Sequence, residues 1–130
     1  MTYKKLNSIY WLNKEIEDLE IRIREIEETL GVSSSKLSGM PKSNSNKRPT
    51  EDISLMLIKL ENKLTKNKTK LVSDKIEIEN YVSKIDDIEL RLIVRMRNID
   101  FMSWQEIGKK LNMDRTTASR RYHKLVDKLK

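Results

Sequence analysis

The apolar residues Ile9, Leu12, Ile16, Leu19, Ile23, Ile26 and Leu30 step by three and four without a break. Steps of this kind put every one of them on a single stripe of a helix, and their mean of 3.5 is that of a coiled-coil seam. The pattern predicts a helix over residues 3–30, about 42 Å long, which needs a partner to cover its stripe. Tyr10 and Trp11 stand beside the seam and are expected to widen the contact. Gly31 is the predicted stop.

Between residues 31 and 50 the periodicity disappears. GVSSSKLSGMPKSNSNKRPT is a serine, asparagine, glycine and proline stretch, which predicts a flexible linker whose Lys36, Lys42, Lys47 and Arg48 could brush a phosphate backbone. Thr50 then offers an N-cap, with Glu51 and Asp52 in the first turn of a second long helix. Its seam reads Leu57, Leu60, Leu64, Asn67, Leu71, Asp74, Ile78 and Tyr81. Asn67 and Asp74 break the apolar stripe; either Asn67 fixes register, or the helix rotates so that Val72 and lysine stems cover the gap. Two helices of similar length joined by a linker fold back most simply as an antiparallel hairpin. Because the first seam is unbroken and the second is not, the hairpins are expected to pair between chains through Ile9, Leu12, Ile16, Leu19, Ile23 and Ile26.

The last third of the chain carries the cap signals. Ser83 with Asp86 reads as a capping box for a third helix, with Ile85, Ile88, Leu92, Val94 and Met96 as its apolar face and Asn98 to Asp100 as its end. Phe101 could staple onto Ile107. Ser103 with Glu106 is a second capping box, opening a helix at Trp104 that buries Ile107 and Leu111. Asn112 and Met113 form a turn, and Asp114 caps a last helix, over 115–129, with Ala118, Tyr122, Leu125 and Leu129 facing inward. Gly108 sits where those two helices approach. Two short helices joined this way are a helix-turn-helix, whose second helix enters the DNA major groove.

With its inner face assigned, the last helix leaves Arg115, Thr116, Thr117, Ser119, Arg120, His123 and Lys124 outside, with no carboxylate between Asp114 and Asp127. Such side chains donate to base edges or phosphates. Ser103, Gln105 and Lys109 of the preceding helix complete the candidate DNA contacts. A merely solvated basic face would leave the same residues outside.

Composition narrows the class. Charged residues make up 36% and aromatics 5%, with three glycines and two prolines, which predicts an all-α chain: a helical hairpin over 1–83 and a three-helix DNA-binding unit over 84–130. The net charge of +7 is uneven. Residues 1–30 hold five basic against seven acidic side chains, whereas residues 31–50 hold four against none and residues 85–130 eleven against seven. That distribution suits a polyanion bound by the C-terminal unit. There is no cysteine, no apolar leader and no run long enough for a membrane span, so a soluble cytoplasmic protein is expected. His123 is the only histidine, and the three glycines are scattered, so no triad, multi-histidine metal site or phosphate loop can be assembled. Neither enzymatic activity nor a cofactor is expected.

Ser103, Glu106, Ile107, Gly108, Leu111 and Arg115 resemble region 4 of sigma factors, in which a short alcohol-capped helix precedes an arginine-rich reading helix. The stretch Ile85 to Ile107, together with Ser38-Gly39-Met40-Pro41, resembles small phage and prophage regulators of the ArpU type. The resemblance implies control of late phage transcription by binding double-stranded DNA. Two positions depart from it: Asn112 replaces the usual turn glycine, and Arg121 stands where sigma relatives place an apolar residue. If Tyr122 packs inward, Arg121 becomes a further DNA-side candidate. The expected function is a sequence-specific, homo-oligomeric transcriptional regulator. Two other readings stay open: a packaging or assembly adaptor, and a sigma-like factor binding RNA polymerase through its hairpin.

Overall fold

The computed structural model describes residues 1–37 and 47–129. Among them are six helices: α1 (Tyr3–Leu6), α2 (Ser8–Leu37), α3 (Lys47–Ser83), α4 (Ile88–Asn98), α5 (Trp104–Leu111) and α6 (Arg115–Val126). The chain divides into two compact units, one of Met1–Asn13 with Lys70–Lys130, the other of Lys14–Thr69. This differs from the division at residue 83 that the motifs suggested. The first turns of the N-terminal helices and the last turns of α3 belong with the C-terminal helices, because Leu6, Ile9, Ile78 and Val82 are fully buried in the same core as Ile93, Val94, Ile107 and Ala118.

In the unit Lys14–Thr69, α2 and α3 run antiparallel. Ile16, Leu19 and Ile23 are buried there and Ile26 is partly covered; Leu12, in the other unit, is likewise partly covered. Asn67 does not interrupt the contact as a bare gap: its amide donates to Glu15 at 2.5 Å, and Lys68 lies 3.6 Å from Glu20. The unbroken seam is therefore covered within one chain. Ile9, in the other unit, is likewise buried by its own chain. Of the residues expected to face a second copy, Ile9, Ile16, Leu19 and Ile23 are buried within a single chain, and Leu12 and Ile26 keep part of their surface exposed.

Several boundaries differ from the sequence expectation. The N-terminal helix breaks at Asn7, whose side chain accepts from Asn98 Nδ2 at 3.0 Å. Helix α2 runs through Gly31, since a glycine inside a helix costs only about 1 kcal/mol against alanine. Helix α3 begins at Lys47 rather than after Thr50; Pro49 falls in its first turn, where no intrahelical N–H bond is lost. Of the predicted linker, residues 38–46, with Lys42 and the Ser38-Gly39-Met40-Pro41 stretch, lie outside the described residues. Ser83 closes α3, donating to the Asn80 carbonyl at 2.8 Å, and the cap of α4 is Asp87, which accepts from the Glu89 N–H at 3.0 Å. Starting four residues later turns the helix: Ile93 is buried and Ile88 is exposed.

Asp74 is a buried charge with built partners. Lys5 Nζ lies at 2.7 Å, the Ser8 hydroxyl donates at 2.9 Å and Lys70 stands at 3.5 Å. Burial pushes the carboxyl up, but the Lys5 and Ser8 hydrogen bonds and the two lysine charges outweigh it, and the group is held below its ordinary 3.8. A depressed carboxyl contributes stability above the unfolded value, and that contribution is lost as pH falls below about 3.8 through the folded one. Asp74→Asn is expected to cost about 1–3 kcal/mol at neutral pH, less than a fully buried pair because Lys5 reaches water. It should also flatten the acid limb of urea-unfolding stability against pH. Coincident acid limbs in the two proteins would remove Asp74 as the source.

Candidate nucleic-acid interface

Local chemistry positions α5 closely. Ser103 Oγ accepts from the Glu106 N–H at 3.2 Å while the Glu106 carboxylate accepts from the Ser103 N–H at 3.1 Å, so the expected capping box is present. The backbone hydrogen bond from Ser103, and then its side-chain one, holds Glu106 below the ordinary carboxylate range. Asn112 ends the helix in the left-handed region, at φ 52°, which asparagine adopts more readily than most residues. The Met113 N–H then donates to the Gly108 carbonyl at 2.9 Å. Asp114 occupies the cap position of α6, but its side chain makes no capping hydrogen bond.

Three long-range contacts fix α6. Ala118 and Tyr122 are buried and Leu125 and Leu129 partly covered, as their spacing predicts, but the buried residue of the last turn is Val126, which the spacing did not name. Trp104 meets Tyr122 edge-on at 5.1 Å between centroids, and the Arg97 guanidinium lies 4.6 Å over the Trp104 ring while donating to the Met102 carbonyl at 3.1 Å. Arg121 donates to Asp87 at 2.5 Å and to Glu89 at 3.3 Å. That pairing commits Arg121 to the start of α4, although Tyr122 does pack inward. Phe101 does not staple onto Ile107; it turns, at φ 58°, to meet the Tyr10 ring edge-on at 5.6 Å. Tyr10 also contacts Trp11, which is 67% exposed and so covers little of the seam.

The candidate contact residues divide into groups. Gln105, Lys109 and Arg115 line one concavity together with the turn, and Arg115, Thr116 and Ser119 line an adjoining depression against Trp104. Thr116, Arg120 and His123 share one exposed stripe of α6, with Thr117 and Lys124 beside it. The His123 Nδ1 donates to the Ser119 carbonyl at 2.7 Å, which leaves Nε2 facing outward for a further partner. Ser103 is exposed, but its acceptor is committed to the cap. Arg97 and Trp104 escaped the sequence reading: 7 residues apart on either side of a turn, they show no periodic signal that joins them.

The electrostatics separate scaffold from surface. Among the described residues Lys109, Arg115, Arg120 and Lys124 have no ion-pair partner, whereas Arg95 and Arg121 on the supporting side are paired with Glu79, Asp87 and Glu89. The first turn of α6 holds no acidic residue, unlike those of α4 and α5. Asp114 at the N-cap nonetheless sets one carboxylate at that end of the helix. No group of three metal-ligating side chains occurs among the described residues, and no helix there is long and apolar enough to cross a membrane.

A family model described as a protein of unknown function, DUF1492, matches residues 31–130. The match takes in the far part of α2, all of α3 and the whole helix-turn-helix. Comparisons with curated proteins and with solved structures gave no match.

Proposed function

The chain belongs to the DUF1492 family, and we propose that it is a sequence-specific DNA-binding regulator of transcription that reads the major groove with α6. The observation that carries this reading is the set of four unpaired cations, Lys109, Arg115, Arg120 and Lys124, exposed on the outer side of the helix-turn-helix, whereas Arg95 and Arg121 on its supporting side are paired with carboxylates. Thr116, Thr117, Ser119, His123 and Gln105 supply neutral donors between those charges, the mixture that base-edge and phosphate contacts require. The resemblance of Ser103 to Arg115 to sigma region 4, and of Ile85 to Ile107 to ArpU-type phage regulators, supports late phage transcription as the process and RNA polymerase as a second partner.

Gel shifts against fragments of the source genome, with random competitor, test the reading. Arg120→Ala is expected to cost about 1–3 kcal/mol on the selected fragment and to relax preference at one base position. Lys109→Ala should weaken all sequences alike and reduce the slope of log affinity against log salt by about one. Equal losses on selected and random DNA from both changes would sink base reading by α6.

A further inference from the structure

We propose that α3 carries a second, outward seam through which two copies of this chain pair antiparallel. Leu55, Ile58, Asn62, Thr65, Thr69, Val72 and Ile76 step by three and four along α3, offset from the inner seam, and all seven are exposed. Leu55, Ile58, Val72 and Ile76 each expose more than half their surface. In a chain that is 36% charged, none of these positions bears a charge, although the outer face of a helical hairpin is where lysine and glutamate normally stand. The stripe is about 32 Å long. It is also less polar than its letters suggest, because Thr65 Oγ1 donates to the Glu61 carbonyl at 3.1 Å and Thr69 Oγ1 to the Thr65 carbonyl at 3.0 Å. Both hydroxyls are satisfied by their own helix, which leaves the methyl groups for contact.

The order of residues identifies the occupant. The stripe is self-complementary when reversed about Thr65: Leu55 meets the partner's Ile76, Ile58 the partner's Val72, Asn62 the partner's Thr69, and Thr65 its own copy. Such a match across a twofold axis is the signature of an isologous interface, in which one patch serves both subunits. The rim agrees. Glu61 is the only carboxylate between Asp52 and Asp74, and among the described residues it has no ion-pair partner. Antiparallel pairing sets it beside the partner's Lys68, and the symmetry makes that contact twice. On the other rim Lys66 stands near its own copy, where its long stem lets the two ammonium groups separate into water. The inner seam of the hairpin is already filled by the chain itself, so α3 meets a second copy with its back.

The full chain settles the matter without DNA. Sedimentation equilibrium at micromolar concentration is expected to give twice the 15.4 kDa chain mass. Thr65→Lys places two like charges on the axis and is expected to weaken the dimer at least ~tenfold with helical content unchanged, the site being exposed. The chain has no cysteine, so Thr65→Cys introduces a single thiol. A short bismaleimide should couple two such copies rapidly, and should not couple copies carrying Glu28→Cys on the outer face of α2. A wild-type mass of 15.4 kDa overturns the proposal. So does a dimer that Thr65→Lys leaves intact, or coupling no faster through Thr65→Cys than through Glu28→Cys.

Discussion

Gly108→Ala is expected to destabilise the protein by about 2 kcal/mol and to abolish tight DNA binding, although the change improves helix propensity. In a straight helix the substitution would gain about 1 kcal/mol. Here the added Cβ would stand 2.7 Å from the Met113 carbonyl oxygen, 3.1 Å from the Arg115 nitrogen and 3.4 Å from the Arg115 Cα. All three are backbone atoms, so no side chain can swing away. The Met113 carbonyl cannot retreat alone either, because the Met113 N–H is bonded to the Gly108 carbonyl at 2.9 Å and Asn112 already holds the left-handed conformation. Relief requires the turn to open, and overpacking of this kind costs about 1–3 kcal/mol or more, which outweighs the propensity gain. Opening the turn also moves α6 relative to α5, and with it Arg115 and Thr116 relative to Gln105 and Lys109. Urea unfolding and gel shifts check the two halves. A Gly108→Ala protein as stable as wild type would show that the turn yields without cost.

The start and the turn of the helix-turn-helix were legible because they are written in local chemistry, whereas its last helix ends at Val126, short of the expected 129. A capping box, a turn asparagine and a small residue at the crossing need no knowledge of the rest of the chain, and Ser103, Asn112 and Gly108 stand where that chemistry put them. The start of α4 was misread for the same kind of reason. Two cap signals compete there, Ser83 with Asp86 and Asp87 alone, and the choice between them depends on where α3 must end to bury Val82. Charge partners were the least legible part. Asn67 read either as a device for register or as a gap that a rotated helix covers, but its partner is Glu15, 52 residues away, and that of Asp74 is Lys5, 69 residues away in the same chain. Periodicity says which face a residue occupies and nothing about which residue faces it. The same limit hid Arg121, whose partners Asp87 and Glu89 lie 34 and 32 residues upstream. It also hid how the α2 seam is met within the chain, where Ile16, Leu19 and Ile23 are buried and Asn67 bonds to Glu15.

Above pH 10 the stability of the fold is expected to fall, and Tyr122 to be a principal cause. Tyr122 is 2% exposed, and burial pushes its phenol up from the ordinary 10.0 to about 12; nearby Tyr3 adds to the rise, while an Asn98 hydrogen bond and the Arg97 charge oppose it. The unfolded chain therefore releases this proton near pH 10 and the folded chain near pH 12. A group with a raised folded pKa gives its full contribution below the unfolded value and loses it as pH rises through the folded one. At about 1.4 kcal/mol per unit, the loss across that window is about 2–3 kcal/mol. Lys5 acts in the same sense, since hydrogen bonds to Asp74 and Glu77 raise it above 10.5 and its contribution fades as it deprotonates. The Lys5 side chain is 30% exposed, and water screens its contribution. Tyr122→Phe separates the two: it keeps the ring that packs on Trp104 and removes the proton. Urea-unfolding midpoints between neutrality and pH 12 should decline less steeply in the variant, and less steeply again on adding Lys5→Met, with the remainder carried in part by Tyr81, which burial also raises above 10.0. An alkaline limb unchanged by Tyr122→Phe would place the titrating group elsewhere. Because Trp104 and His123 both lie against the Tyr122 ring, its ionisation should also loosen α6 before the core unfolds, and Trp104 fluorescence is expected to respond at a lower pH than the far-ultraviolet signal of the helices.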